Sequence, residues 1–247
     1  MRLSVYCLVV LLSLSGCQKA EAATGKRLNP WGDISETDPS DMDDIIIGTT
    51  KLTNLEEQPY RTAKGFWRSY ILKCAKAYFR GDLNPRGHFI KASSQLGEKY
   101  SPDKVADSKY NTCWAEGKPG PGTGEWILFF HPELDLHFSL YNGVWASKAL
   151  YYANNRIKKA EITVYNIRGN KDKTFGEPYI FCRKVVTLHD KIWPTIFFLK
   201  YTGMNKESWK KRYKKFKYQF SYKFIVIKIL DVYRGTKYND TCISQLY

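Results

Sequence analysis

From residue 88 onward the apolar positions fall in short runs and alternations separated by Gly, Pro and Asn turns, which is the pattern of β-strands. Trp126 to Phe130 is a short apolar run, and Leu136, Phe138 and Leu140 alternate with other residues. Ile162, Val164 and Ile167 follow, then Val185 to Leu188, Thr195 to Leu199 and Tyr222 to Tyr233, with Cys242 to Tyr247 as a last strand. About eight strands spaced in this way predict a mainly β chain folded as an antiparallel sandwich. Helices and strands do not alternate, so a doubly wound sheet is not supported. Ahead of this region the period changes. Phe66, Tyr70, Cys74 and Tyr78 recur every four residues, with Trp67 and Ile71 beside them. Lys64, Arg68, Lys73, Lys76 and Arg80 flank that stripe, and Gly81 follows it. This predicts a short basic amphipathic helix over 62–80. Such a helix lies on a membrane or packs on its own domain, and packing is the expectation.

The first residues are set aside as a targeting segment. Arg2 precedes an apolar core, Leu3 to Leu14, too short for a permanent span. Leu14-Ser15-Gly16-Cys17 resembles a bacterial lipobox, which implies cleavage after residue 16 and lipidation of Cys17. Ala20-Glu21-Ala22 is a rival site for ordinary signal cleavage. The organisation expected is a signal peptide over 1–16, a polar linker over 17–44, an N-terminal extension carrying the helix over 45–87, and a β domain over 88–247. The location expected is the cell envelope, lipid-anchored or secreted. Residues 33–41 are acidic and Pro-containing, and they lack the Gly and terminal Glu of an EF-hand.

Charge and cysteines narrow the picture. Residues 88–247 hold 27 Lys and Arg against 14 Asp and Glu, whereas the first 87 hold 12 against 10. The formal charge of +15 therefore belongs mostly to the C-terminal domain. Lys206 to Lys217 concentrates it among Trp209, Tyr213 and Phe216, as a solvated hairpin or a dock for phosphate, sulfate or carboxylate groups. Beyond the signal, Cys74, Cys113, Cys182 and Cys242 permit two disulfides or four free thiols. No C-x-x-C, H-E-x-x-H or G-x-S-x-G occurs. Gly120, Gly122 and Gly124 form half a dinucleotide motif, but a strand follows where a helix is needed. Glu116 and Glu125 are the one carboxylate pair that suggests glycosidase chemistry, and the residues around them add nothing to it. The expectation is a chain that is not an enzyme, with no cofactor and no bound metal.

Turns between 112 and 159 carry Trp, Tyr, Asn, Glu and Arg. Thr112-Cys113-Trp114-Ala115-Glu116-Gly117, Gly120-x-Gly122-x-Gly124-Glu125-Trp126, Asn142-Gly143 and Asn154-Asn155-Arg156-Ile157-Lys158-Lys159 resemble the NADase-type glycan-binding domain. That group is the translocation-domain relative of the discoidin, or coagulation-factor type C, domains. Asp231 to Ser244 is similar to its closing strands, so the resemblance spans about 88–247. It implies a galactose-binding-like jelly roll with a non-catalytic glycan-binding role. The enzyme joined to such domains elsewhere has no room here, so NAD hydrolysis is not carried over.

Sugars present C–H patches and hydroxyls, which aromatic faces and forked polar groups match. The stacking candidates are Trp114, Trp126, Tyr141 and Trp145, of which Trp114 and Trp126 are expected in the core and Trp145 on display. The polar candidates are Glu116, Asn142, Asn154, Asn155 and Arg156. The resemblance also implies a structural calcium near Asp107 and Thr112. Lys109 and Gln245 stand where acids are expected, so the reading is that the Lys109 ammonium takes the cation's place. A Cys113–Cys242 disulfide beside those loops is worth about 3–5 kcal/mol in the chain-entropy model. The leading expectation is therefore an extracytoplasmic protein that recognises a glycan through sandwich loops. An anionic polymer or lipid surface bound by the basic segment is the alternative, and a structural envelope protein is a third. Nucleic acid is not an expected partner.

Overall fold

The computed structural model describes residues 44–51, 63–80, 90–131, 137–169, 175–202 and 220–246. The expected signal peptide, Cys17, the expected linker up to residue 43 and the basic segment 206–217 lie outside the described residues. The described elements are β1 (Asp44–Lys51), α1 (Gly65–Arg80), β2 (Ile90–Ala92), two short 3-10 turns (Glu98–Tyr100 and Pro102–Ala106), β3 (Trp114–Ala115) and β4 (Trp126–His131). Then come β5 (His137–Asn142), α2 (Lys148–Ala153), β6 (Arg156–Gly169), β7 (Tyr179–Thr187), β8 (Thr195–Thr202), β9 (Phe220–Tyr233) and β10 (Cys242–Leu246).

The strands form two five-stranded sheets, ordered β1-β8-β5-β10-β3 and β2-β4-β9-β6-β7. This is a jelly-roll sandwich, mainly β as the sequence pattern predicts. Among the described residues the named strands pair antiparallel except once: β1 runs parallel to β8, with Asp44 opposite Ile196 and Lys51 opposite Thr202. A strand in the N-terminal extension has no alternation that would announce it. Its partner strand lies about 150 residues further on in the sequence.

Side-chain parity decides where the core sits. In β5, Phe138 and Leu140 point inward while His137 is exposed, giving clean alternation. The second sheet differs. Ile127 and Phe129 of β4, Ile162 and Val164 of β6, and Ile225, Ile227 and Ile229 of β9 face the first sheet. Their neighbours Leu128, Phe130, Tyr165, Ile167, Phe224 and Val226 face outward, and they are buried too. They are covered by α1, which sets Ile71, Cys74 and Ala75 against them. A sheet buried on both faces reads as an unbroken apolar run, which is why β4 and β9 lack a polar face in sequence. In the inner core Phe138 stacks on Phe197 at 4.8 Å and meets Phe129 edge-on at 5.0 Å.

The helix is therefore part of the folded unit. Ile71 is fully buried, whereas Phe66 is 58% exposed. Ile71→Ala is expected to cost about 2–5 kcal/mol in chemical denaturation. Phe66→Ser is expected to cost about 1 kcal/mol or less. Equal costs for the two would show that α1 does not pack as described.

Candidate functional site

The jelly roll brings four loops to one end of the sandwich: 116–125, 143–155, 188–194 and 234–241. They follow the ends of β3, β5, β7 and β9, which all point the same way. Loop ends on a rigid sandwich are where such folds place recognition. Of the six candidate glycan-binding residues, Glu116, Trp145, Asn154 and Asn155 lie in these loops and Asn142 and Arg156 on the strand ends that flank them, but most of them point inward.

Asn142 ends β5 with its amide paired to the backbone of Ile157 across the sandwich. Its Nδ2 donates to the Ile157 carbonyl at 2.7 Å, and its Oδ1 accepts from the Ile157 N–H at 2.8 Å. This pair latches the start of β6 in one sheet to the end of β5 in the other. Gly143 follows with φ +83°, and a Cβ there would lie 2.7 Å from Arg156 Cγ, so only glycine fits the turn. Asn155 does for the 234–241 loop what Asn142 does for β6. Its Nδ2 donates to the Asn239 carbonyl at 2.6 Å, and its Oδ1 accepts from the Gly235 N–H at 2.7 Å. Asn154 donates to the Leu150 carbonyl at 2.8 Å and closes the C-terminal end of α2, whose N-terminal end is capped by Ser147.

Arg156 is 3% exposed. Its Nε and Nη2 donate to the two Asp190 oxygens at 2.9 and 2.6 Å, and its Nη1 donates to the Asn154 carbonyl at 2.8 Å. The guanidinium carbon sits 5.1 Å from the Tyr151 ring and 5.4 Å from the Tyr152 ring. Burial lowers the pKa of the guanidinium, and Asp190 outweighs burial, so the net shift is upward. A buried charge is tolerable only when paired and hydrogen-bonded in this way.

Glu116 is fully buried and accepts from the N–H groups of Lys118 (2.8 Å) and Thr241 (3.4 Å). Burial raises its pKa despite those donors. Glu125 is also buried; Lys118, Ser94 and Ser93 outweigh the burial and hold its pKa below the usual carboxylate value. Lys118 Nζ lies 2.5 Å from Glu125. Both carboxylates are thus structural anchors of the 116–125 loop.

The expectation that Trp145 is displayed is corrected. It is 7% exposed, its Nε1 donates to the Asn142 carbonyl at 2.9 Å, and its ring lies 4.8 Å from Tyr141. Trp114 is in the core as expected. Trp126 is half-buried beside α1. The aromatic faces that the loop end does show are Tyr152, 38% exposed, and Tyr238, 40% exposed. Their loops are joined backbone to backbone. Thr236 N–H donates to the Tyr152 carbonyl at 3.0 Å, and Tyr238 N–H donates to the Ala153 carbonyl at 2.8 Å. Arg234, Lys237 and Asn239 are exposed around them, with Arg234 donating to Asn239 Oδ1 at 3.0 Å and Lys237 Nζ 5.1 Å from the Tyr238 ring centre. Sequence reasoning passed over these residues because nothing in 234–241 marks which side chains face outward.

The implied cation position is filled differently from the expectation. Gln245 Nε2 donates to the Lys109 carbonyl (2.7 Å), Asp107 Oδ1 (3.1 Å) and the Lys104 carbonyl (3.2 Å). Thr112 Oγ1 donates to the Lys109 carbonyl at 2.8 Å and lies 2.9 Å from Asp107 Oδ1. All three of the Gln245 partners are acceptors only, so the nitrogen faces them. The Gln245 amide, not the Lys109 ammonium, supplies the positive dipole, and Lys109 is exposed. With one carboxylate and an amide nitrogen facing it, this oxygen set does not fit calcium.

Cys113 and Cys242 are brought together as two buried thiols, and the expected disulfide is not formed in the structure. A hydrogen bond with Cys113, together with burial, pushes the Cys242 thiol pKa well up.

A two-sheet jelly roll whose loops gather over a locked polar layer is the architecture of the F5/8 type C, or discoidin-like, class. The chain belongs to the NAD glycohydrolase translocation F5/8 type C domain family, whose model matches residues 86–247. No curated protein matches it. Among solved structures it is similar to the F5/8 type C domain of a Bacteroides fragilis protein. The identity is 15% and the TM-score 0.38, over 66% of this chain and 91% of that one. It is also similar to chitosan-binding module 1 of a chitosanase/glucanase from Paenibacillus sp. IK-5. There the identity is 16% and the TM-score 0.36, over 64% of this chain and 91% of the module. Module 2 of the same enzyme, solved in complex with chitotriose, gives 12% identity and a TM-score of 0.32, over 64% of this chain and 93% of the module.

Two outcomes are expected at this end. Asn155→Ala orphans the Gly235 N–H and the Asn239 carbonyl and lowers stability by about 1–3 kcal/mol in urea titration. Calcium leaves the wild-type melting temperature unchanged. Gln245→Glu is destabilised in a chelator, because a carboxylate then faces Asp107 and two carbonyls, and it is rescued by added calcium. A calcium-induced rise in the wild type would overturn this account.

Proposed function

We propose that the chain is a non-catalytic, extracytoplasmic binding protein that recognises a glycan on the loop end of its jelly roll. The observation that carries the proposal is the exposure of Tyr152 and Tyr238 on joined loops. Two exposed aromatic faces stand on loops hydrogen-bonded to each other, above a polar layer whose groups are engaged inside the protein. A surface ordered before binding loses little further freedom when a ligand arrives. In this reading Tyr152 and Tyr238 stack on sugar C–H patches, while Arg234, Asn239 and Thr236 meet hydroxyls. Asn142, Trp145, Asn154, Asn155, Arg156 and Glu116 act from beneath as the scaffold that sets those loops. The family is of the binding-module type, which supports a role without catalysis. The lipobox-like Leu14 to Cys17 supports a lipid-anchored location at the cell envelope.

The test is an array of neutral and acidic glycans read at low and physiological salt. Retention of a neutral glycan that changes little with salt is expected. Tyr238→Ala and Tyr152→Ala are each expected to weaken it by about tenfold while the melting temperature is kept. No sugar retained by the folded protein would overturn the proposal. Binding confined to acidic glycans and collapsing with salt would favour the basic surface as the determinant.

A further inference from the structure

We propose a second surface, on the outer face of the second sheet: the aromatic edge of α1, formed by Phe66, Tyr70 and Trp126, docks on an anionic lipid bilayer. The helix covers the outer face of the second sheet but leaves Phe66 of its own first turn exposed. Phe66 is 58% exposed, more than any other large apolar side chain among the described residues. It stands on a base of rings: Tyr70 stacks on it at 5.1 Å with planes 22° apart, Trp67 meets it edge-on at 5.1 Å, and Trp126 lies at 6.1 Å. Trp67 and Trp126 are themselves 5.0 Å apart, and Trp67 stacks on Tyr165 at 5.6 Å. The tip is therefore an apolar wedge on a supported aromatic base. Tyr70 covers one face of the Phe66 ring, so that face is closed to a sugar or base.

Among the described residues the charge around the wedge is mostly positive. α1 contains no carboxylate, and Lys64, Lys73 and Lys76 are exposed on or beside it. Lys91 of β2 pairs opposite Leu128, on the face that α1 covers, and both Lys91 and Lys73 act electrostatically on Cys74 beneath the helix. Lys228 of β9 pairs directly opposite Trp126 and is exposed on the same face. The carboxylates near this face are already paired: Glu177 with Arg68 at 2.5 Å, Glu161 with Arg183 at 3.9 Å, and Glu125 with Lys118 at 2.5 Å. A protruding apolar ring, amphipathic Tyr and Trp rings at its base, and long cationic stems around it match the layering of a lipid interface. The ring reaches the acyl boundary, Tyr and Trp sit at headgroup depth, and the lysines meet the phosphates.

The experiment uses the full chain carrying Cys17→Ala, so that no acyl chain can be attached at that thiol. Co-sedimentation is measured with vesicles of phosphatidylcholine alone and of phosphatidylcholine mixed with phosphatidylserine. Preferential binding to the mixed vesicles is expected. Phe66→Ser is expected to lower partitioning by about tenfold. Lys73→Gln and Lys76→Gln are expected to lower it by about fivefold each. Circular dichroism and the melting temperature check that each variant keeps its fold. Vesicle binding indifferent to Phe66→Ser would overturn the proposal. Equal binding to both vesicle types would overturn it too, as would retention on soluble heparin that depends on Lys73 but not on Phe66, which would assign the surface to acidic polysaccharide. Tyr238→Ala is expected to leave vesicle binding unchanged, so this surface and the glycan site fail or stand separately.

Discussion

A guanidinium cannot be taken out of water without a partner, and the loop end is organised around that requirement. Arg156 opens β6, the strand that joins β9 and β7 within the second sheet. Its side chain reaches Asp190 on the loop after β7, the carbonyl of Asn154 and the faces of two tyrosines. Once that charge is buried and paired, the 143–155 and 188–194 loops have fixed positions relative to each other. The amides of Asn142 and Asn155 extend the same logic to β5 and to the 234–241 loop, because each presents one donor and one acceptor to a backbone that would otherwise be left unpaired. The loops are thereby ordered by polar satisfaction as well as by the burial of Val144, Trp145, Tyr151 and Leu188.

Much of the architecture was legible because the two periodicities differ. The four-residue spacing of Phe66, Tyr70 and Cys74 marked a helix, and the runs at β4 and β9 marked strands. What could not be read was direction at the loop end. An Asn or Arg after a turn has the same letter whether it forks a sugar or a carbonyl, and only the fold shows that Asn142 faces Ile157. Gln245 was the clearer missed signal. It sits in Cys242–Leu246, a closing strand buried along its whole length, where a polar side chain must have an internal partner. The parallel β1–β8 pairing carried no local signal at all, since it depends on a contact far away in sequence.

Gln245 also shows how a fold can keep a geometry while changing what fills it. Two carbonyls, a carboxylate and a hydroxyl converge in the 101–112 loop, an arrangement that asks for positive charge at its centre. An amide nitrogen supplies part of that charge from the last strand, and so ties the loop to the sheet without depending on a soluble ion.

The extent of the family and the extent of the folding unit are not the same. The family match begins at residue 86, yet β1 protects the outer edge of β8, and α1 shields Leu128, Phe130, Tyr165 and Phe224. A chain trimmed to the family boundary would keep β2 to β10 and still present a bare strand edge and an oily face to water, the two surfaces on which β proteins stick to one another. The preceding segment thus covers in cis a strand edge and an apolar face that the jelly roll alone leaves bare.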